Sequence, residues 1–204
     1  MILILTACVL GDADRGDPNG TVLAVGDSVF EWNLESGQSA PQFAADDVYN
    51  ASISGTMMTG DDPIPDQYIE GNWEWILVDG GANDLNDLCA CSEECGPVMD
   101  AIDEAFDRFV GERVSAGEKV LIWGYYDPPS NAEFDFGECG EEVDELSVRQ
   151  AAVAEAYDGV WFVDGRELSR DGLFDEDRIH PSVEGSQAIG EQLRLAMETE
   201  DGPD

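Results

Sequence analysis

The sequence predicts an α/β protein, a three-layer α/β/α sandwich built on a five-stranded parallel sheet of the doubly wound type. Five short apolar runs alternate along the chain with segments of helical periodicity. The runs are apolar at consecutive positions, as expected for parallel strands that helices cover on both faces. With 204 residues, of which 43% are hydrophobic, the chain is long enough for one domain with a full-sized core.

The first half of the chain is predicted to contain three strands and one short helix. Thr21–Val25 is a buried strand because it is apolar, rich in β-branched residues and ended by Gly26. A short helix and two further strands follow in order at Ala40–Ala45, Val48–Ile53 and Trp75–Val78. Glycines follow both of these strands, so each strand is expected to end in a turn.

The second half alternates helices with the last two strands. Val98–Val114 is predicted to be helical because its apolar residues recur at helical spacing, and Gly117 ends the segment. The remaining elements are a strand, a helix, a strand and a final helix, at Val120–Trp123, Glu141–Tyr157, Val160–Val163 and Val183–Met197. Right-handed crossovers between the parallel strands then place helices on both faces of the sheet.

The two ends of the chain are predicted to lie outside the domain, which spans residues 21–198. Met1–Leu10 is an apolar run too short to span a bilayer. It contains Leu5-Thr6-Ala7-Cys8, which resembles the lipobox of bacterial lipoproteins. We interpret residues 1–20 as a truncated signal with a polar linker, although the run also fits an apolar edge of the fold. Lipidation of Cys8 would attach an exported protein to a membrane, and residues 199–204 form an acidic tail.

The charge of the chain is strongly negative. The formal net charge is −37 and the pI is about 4.1. A nucleic-acid partner is excluded on this ground, because phosphate contacts require clustered Arg and Lys. Two interpretations of the acidity remain open, a solvated surface that keeps the protein soluble and an adaptation to high salt, where ions screen the repulsion.

Four cysteines remain when Cys8 is set aside, namely Cys89, Cys91, Cys95 and Cys139. An even set in an exported protein favours two disulfides. A zinc site is the alternative, but it needs four converging thiolates, and a Cys-x-Cys-x3-Cys spacing is not typical of one.

Polar residues follow the predicted strands at one edge of the sheet. Ser28 follows the first strand, Gly55 the second and Asn83 the third, while Asp177 and His180 follow the fifth. Parallel sheets bind ligands at the carboxyl ends of their strands. Each motif taken alone also fits a purely structural role, as a helix N-cap, a turn or a loop residue. Their common position predicts that they converge.

These motifs resemble the conserved blocks of the SGNH (GDSL-type) hydrolase family. The matching segments are Gly26-Asp27-Ser28, Asn50–Gly55, Gly81-x-Asn83-Asp84 and Asp177-x-x-His180, within a resemblance that extends roughly from Thr21 to Met197. The second segment is most similar to the bacterial thioesterase I, lysophospholipase L1 and arylesterase subgroup. The chain departs from that subgroup at Thr56, where Asp is common, in the cysteine-containing segment Cys89–Cys95 and in the loop Asp127–Gly140.

The resemblance implies the SGNH hydrolase fold, with a flavodoxin-like sheet, and a serine hydrolase site. Ser28 is then the nucleophile, His180 the general base and Asp177 the residue that orients His180. The oxyanion hole is formed by the N–H groups of Ser28 and Gly55 with the side chain of Asn83. Asp27 and Asp84 are expected to brace loops, and no metal or organic cofactor is expected.

The predicted function is therefore a serine esterase acting on carboxylic esters or thioesters, with a small-molecule or lipid-like substrate and a monomeric protein. A carbohydrate O-acetylesterase is the alternative within the same class. A non-catalytic binding module on the same fold is the alternative from another class. A flavodoxin-like nucleotide-binding protein is disfavoured, because no Gly-x-Gly-x-x-Gly follows the first strand.

The loops that follow the third and fourth strands are expected to be neighbours. Cys139 is then predicted to pair with one of the three clustered cysteines, and the other two to pair locally in a bridge that includes Cys95. The second of these loops carries four aromatic residues that either form an apolar wall of the substrate cleft or only pack the loop: Tyr125, Tyr126, Phe134 and Phe136.

Overall fold

The computed structural model describes residues 15–92, 94–127, 129, 132–133, 136–168 and 172–199. The apolar N-terminal run with Cys8, the aromatic Phe134 and most of the acidic tail lie outside the described residues. The predictions of a signal segment and of lipidation therefore stay predictions.

The core of the molecule is a five-stranded, fully parallel sheet, which confirms the predicted fold class. Its strands lie in the order β2-β1-β3-β4-β5. The strand bounds are β1 Val22–Val25, β2 Val48–Asn50, β3 Trp75–Val78, β4 Lys119–Gly124 and β5 Val160–Asp164. All residues of β1 and β3 are buried, as expected for central strands covered on both faces.

Six α-helices cover the described part of the sheet. Their bounds are α1 Ser28–Glu31, α2 Ala40–Ala44, α3 Ala82–Cys89, α4 Gly96–Ala116, α5 Gly140–Glu155 and α6 Val183–Glu198. Helix α2 packs on α6, whereas α4 packs on both α3 and α5. The crossing of α2 and α6 is close because Gly190 has no side chain; a Cβ there would lie 2.4 Å from Cβ of Phe43.

The predicted elements differ from the observed ones mainly near the motifs. Helices α1 and α3 were not predicted, and both begin within the motif segments. Strand β2 ends at Asn50 and not at Ile53, because the Asn50 side chain turns inward and donates to the Phe30 carbonyl (2.7 Å) and to Ser39 Oγ (3.1 Å). Its Oδ1 accepts from Ser52 N–H at 3.0 Å, which directs the chain out of the sheet.

A short segment before the predicted domain covers the outer edge of β2. Gly16 forms an antiparallel bridge with Tyr49, and the Asn50 N–H donates to the Arg15 carbonyl at 2.8 Å. The Arg15 side chain extends along the same strand and donates to the carbonyls of Asn50 (2.9 Å) and Ser52 (3.2 Å). These contacts satisfy edge groups that would otherwise be open to another strand.

Two disulfides join the helices of one face. Cys89 at the end of α3 pairs with Cys95 just before α4, and Cys91 pairs with Cys139 just before α5. This pairing agrees with the predicted one, and it uses the four thiols that a zinc site would have required. Because such bridges persist in oxidising compartments, the disulfides indicate an exported protein. None of the described helices has the length and apolar character needed to cross a membrane.

Candidate active site

The turn that carries Ser28 is fixed by two side chains from elsewhere in the chain. Gln67 holds the backbone of Gly26 from both sides, accepting from its N–H (2.7 Å) and donating to its carbonyl (2.9 Å). Asp79, which directly follows β3, accepts from the Asp27 N–H at 2.8 Å. A Cβ on residue 26 would lie 1.8 Å from Asp79 Oδ1, so only glycine fits there. Ser28 is thereby presented as the first residue of α1.

Asp27 is a buried carboxylate directly before Ser28. Its Oδ1 caps α1 by accepting from the Val29 N–H at 2.9 Å. Its Oδ2 accepts from the Tyr125 hydroxyl at 2.5 Å and from Asn83 Nδ2 at 3.3 Å. Burial raises the pKa of Asp27 although these hydrogen bonds oppose the rise, and burial with the nearby Asp27 charge raises the pKa of Tyr125 well above its ordinary value. Tyr125 therefore acts as a hydrogen-bond donor.

Asp177 and His180 form a tight pair in the loop before α6. The distance from His180 Nδ1 to Asp177 Oδ2 is 2.6 Å. Asp177 Oδ1 accepts from the N–H groups of Ile179 (2.9 Å) and His180 (3.0 Å). Burial acts to raise the pKa of Asp177, but the hydrogen bonds from His180 and Ile179 outweigh it and lower that pKa below its usual range. Asp177 is thus ionised and holds the imidazole by Nδ1.

A tryptophan connects the end of α1 to the loop that carries His180. The ring of Trp32 stacks on His180 with a centroid distance of 3.8 Å and an interplanar angle of 7°. Its Nε1 donates to Asp175 Oδ2 at 2.6 Å, and the Asp175 N–H donates to the His180 carbonyl at 2.8 Å. Trp32 therefore restrains both the imidazole plane and the loop that carries it.

The segment with Gly55 is held against α1. Gly55 has a φ of +75° and free space where a Cβ would lie, so glycine is required by the backbone and not by crowding. The preceding residue is fixed by Glu31 of α1, whose Oε2 accepts from both the N–H and the hydroxyl of Ser54. Arg15 lies 3.8 Å from the other oxygen of Glu31. This chain of contacts ties the Gly55 turn to the helix that begins at Ser28.

Asn83 and Asp84 occupy the first turn of α3 and point to the same segment. Asn83 Nδ2 donates to the Thr56 carbonyl at 3.0 Å and, more weakly, to Asp27. Donation to an oxyanion would therefore replace one of these two hydrogen bonds. Asp84 accepts from the N–H groups of Met58 (2.7 Å) and Thr59 (3.0 Å), so it braces the loop as expected.

One cavity of about 340 Å³ brings the predicted site residues together. Ser28, Gly55, Asn83 and His180 line it, and Asp177 lies behind His180. Its remaining walls are mainly apolar or aromatic and include Val29, Ala82, Tyr125, Tyr126, Phe136, Val143 and Ile179. The Cys91–Cys139 bridge joins α3 to the start of α5, and both helices contribute to the wall through Asn86, Asp87 and Val143.

Part of the predicted aromatic wall is present, and two of its residues also have a structural role. Tyr125, Tyr126 and Phe136 line the cavity. The hydroxyls of both tyrosines donate hydrogen bonds, that of Tyr125 to Asp27 and that of Tyr126 to the Ile179 carbonyl. The two tyrosines thus hold the turn before Ser28 and the loop that carries His180.

Sequence reasoning missed four residues that support the site, namely Gln67, Asp79, Trp32 and Glu31. Asp79 and Trp32 were detectable, since Asp79 ends a predicted apolar strand directly before Gly80 and Trp32 lies four residues after Ser28. Gln67 and Glu31 carry no local signal, because their roles depend on contacts with distant parts of the chain.

The buried Asp79 provides a pH-dependent test of the site. Burial, then the neighbouring charge of Asp27, raise its pKa well above the ordinary value, and its Oδ2 has no hydrogen-bond partner among the described residues. The folded-state pKa of Asp79 exceeds its unfolded value of about 3.9. The contribution of Asp79 to the free energy of unfolding is therefore fully present below the unfolded pKa and is lost as the pH rises through the folded-state pKa. We expect Asp79→Asn to gain stability over the wild type as pH rises.

The measurement is the free energy of unfolding in urea at pH 5 and pH 8 for both proteins. Asp79→Asn retains the oxygen that accepts from the Asp27 N–H, so the turn itself is preserved. The exposed Asp46→Asn is the matched control for the loss of one carboxylate. If the gain in the free energy of unfolding of Asp79→Asn over the wild type shrinks from pH 5 to pH 8, the raised pKa of Asp79 is contradicted.

The chain is similar to proteins of one hydrolase family. The model of the GDSL-like Lipase/Acylhydrolase family matches residues 24–188. Among solved structures, a carbohydrate acetylesterase family member from Sinorhizobium meliloti is 17% identical over 87% of this chain and 97% of that chain, with a TM-score of 0.68. A GDSL-like lipase from Bacteroides thetaiotaomicron is 16% identical over 87% of each chain, with a TM-score of 0.64.

The same fold is found in an enzyme from an environmental source. LAE5, an alpha/beta hydrolase enzyme from the metagenome of Lake Arreo in Spain, is 16% identical over 90% of this chain and 96% of that chain, with a TM-score of 0.64. At these identities the likeness shows a shared fold. A search of curated proteins found no significant match.

Proposed function

The chain belongs to the GDSL-like lipase/acylhydrolase family, and from this premise we propose that it is a serine esterase that hydrolyses carboxylic esters or thioesters through an acyl-enzyme on Ser28. In the first half-reaction Ser28 Oγ attacks the acyl carbon and His180 takes the hydroxyl proton. The bond to the leaving group then breaks, and His180 returns the proton to the departing oxygen or sulfur. Water repeats the sequence, releasing the acid and Ser28.

The pair of Asp177 and His180 carries this proposal. A carboxylate 2.6 Å from Nδ1 leaves Nε2 as the ring nitrogen available to a substrate. The hydrogen on Nδ1 is fixed by an ionised acceptor, so Nε2 is kept as the basic nitrogen. Because His180 and Ser28 line the same cavity, the pair supports general-base activation of Ser28. The proposed oxyanion donors are the N–H groups of Ser28 and Gly55 with Asn83 Nδ2, and they would act on the charge that develops on the carbonyl oxygen.

We also propose a subgroup, a substrate class and a location for the protein. The Asn50–Gly55 motif favours the subgroup of thioesterase I, lysophospholipase L1 and arylesterase. The carbohydrate O-acetylesterase alternative has support from a polar groove that lies beside the cavity and could accept a hydroxyl-rich alcohol. A small or lipid-like acyl ester is the proposed partner of a monomeric, exported protein, and attachment to a membrane through a lipid on Cys8 belongs to the same proposal.

Labelling with a fluorophosphonate probe distinguishes the esterase from a binding module that only retains the fold. We expect the native protein to react at Ser28, because the probe requires an activated serine, and heat-denatured protein to stay unlabelled. Peptide mass spectrometry identifies the labelled residue. Ser54→Ala, a serine variant at the same cavity, is the control and should keep the label. Native protein without label on Ser28 would favour the binding module.

A further inference from the structure

A second depression adjoins the catalytic cavity on the side of Trp32 and Ser54. It has a volume of about 560 Å³ and shares these two residues with the first cavity. Its other lining residues are Glu31, Asn33, Leu34, Glu35, Ser36 and Asp175. We call this depression the acidic groove. A ligand that reaches Ser28 and extends past Trp32 therefore enters a surface on which six of the eight lining residues are polar or acidic.

The two compartments differ in polarity. The catalytic cavity is walled mainly by aliphatic and aromatic side chains, which suit an acyl group. The acidic groove has three carboxylates, Glu31, Glu35 and Asp175, and none of its described lining residues is Lys, Arg or His. Such an asymmetric pair of compartments matches the two halves of an ester, one apolar and one polar.

The groove carboxylates have neutral hydrogen-bond donors as well as one nearby cation. Arg15 lies beside Glu31 at 3.8 Å and offsets that charge in part. Asp175 accepts from the neutral Trp32 Nε1, which holds its position without cancelling its charge. Glu35 is exposed at the rim. Carboxylates accept hydrogen bonds but donate none when ionised, so the groove favours hydroxyl or ammonium donors and repels anions.

We infer that the acidic groove is the leaving-group subsite and that it selects alcohols that carry hydrogen-bond donors and no negative charge. This inference rests on the proposed esterase function of Ser28. Esters of polyhydroxylated or ammonium-bearing alcohols fit it, with the acyl group in the apolar cavity. Thioesters of phosphate-bearing carriers are disfavoured, because their anionic groups would meet Glu35 and Asp175. The inference therefore favours an oxygen ester with a polar alcohol over an acyl-coenzyme A substrate.

A matched series of substrates tests the charge selectivity. We propose acetate esters of three phenols that carry a trimethylammonium, a hydroxymethyl or a carboxylate group at the meta position, each rate divided by its rate of hydroxide-catalysed hydrolysis. At low ionic strength we expect kcat/KM to be highest for the cation and lowest for the anion, with a ratio on the order of tenfold or more. Addition of 1 M salt should reduce that ratio, because the Debye length falls to about 3 Å.

A pair of charge-reversal variants separates the groove from the general field of a protein with a net charge of −37. Glu35→Lys reverses a charge in the groove, whereas Glu155→Lys makes the same change at the far end of α5, beside the amino end of β5. Glu35→Lys is expected to reduce the cation-to-anion ratio by on the order of tenfold. Glu155→Lys should have a much smaller effect.

Each other outcome has a defined meaning. Equal effects of the two variants would show that the overall charge, and not the groove, sets the selectivity, and would overturn the inference. A wild-type protein that hydrolyses the three esters equally well would also overturn it. Hydrolysis that persists in Ser28→Ala would instead reject the esterase proposal itself.

Discussion

Ser28→Ala and His180→Ala are each expected to reduce kcat for a short 4-nitrophenyl ester by about 10⁴-fold or more. In the proposed mechanism the first removes the oxygen that forms the acyl-enzyme, and the second removes the base that accepts its proton. Because the two groups act as a unit, the double variant should match the activity of either single variant within about tenfold. The measurement is initial-rate kinetics on purified wild type and variants at equal protein concentration.

The effect of the histidine variant has a simple interpretation because His180 is the only histidine of the chain. No second imidazole can replace it as base, so residual activity cannot be assigned to another histidine. Folding must be checked separately for His180→Ala, since that variant also loses the stacking partner of Trp32. Circular dichroism and a thermal unfolding curve serve this purpose, and Ser54→Ala is the matched serine control. Wild-type rates in a folded Ser28→Ala variant would reject Ser28 as the nucleophile.

The sheet could be predicted from the sequence because its strands are buried on both faces. Runs such as Trp75–Val78 are apolar at every position. A short apolar run that is soon followed by glycines is more typical of a buried strand than of a helix. The strand order is also constrained by right-handed crossovers. Helices α1 and α3 escaped prediction because they contain too few apolar positions to show helical periodicity.

The candidate site was predictable where it follows strand ends and unpredictable where it depends on distant contacts. Ser28, Gly55, Asn83 and His180 converge on one cavity, as their positions after parallel strands indicated. By contrast, Gln67 contacts Gly26 across 41 residues of sequence, and Trp32 reaches Asp175 across 143. No periodicity or local propensity encodes such pairs. The acidic groove is likewise a product of folding, since Glu31, Glu35 and Asp175 are ordinary members of an acidic sequence until the fold brings them together.

Asp177→Asn is expected to lower kcat by roughly 10³- to 10⁴-fold while leaving the loop in place. The amide can keep an oxygen toward the N–H groups of Ile179 and His180, which donate to Asp177 Oδ1 in the wild type. The group facing His180 Nδ1 then becomes an N–H donor in place of Oδ2. Nδ1 must act as the acceptor, the ring hydrogen moves to Nε2, and the nitrogen that should take the proton from Ser28 is blocked.

The pH dependence of the variant separates this tautomer effect from general loosening of the loop. In the wild type the ionised Asp177, whose pKa is lowered, stabilises the imidazolium that forms when His180 takes the proton. Without that charge the imidazolium is less stable, so the kinetic pKa of the rising limb of kcat/KM should move to lower pH in Asp177→Asn. Glu176→Gln, which neutralises the exposed neighbour in the same loop, is the matched control. An unchanged limb, with kcat/KM reduced equally at every pH, would indicate that Asp177 only holds the loop and does not stabilise the charged histidine.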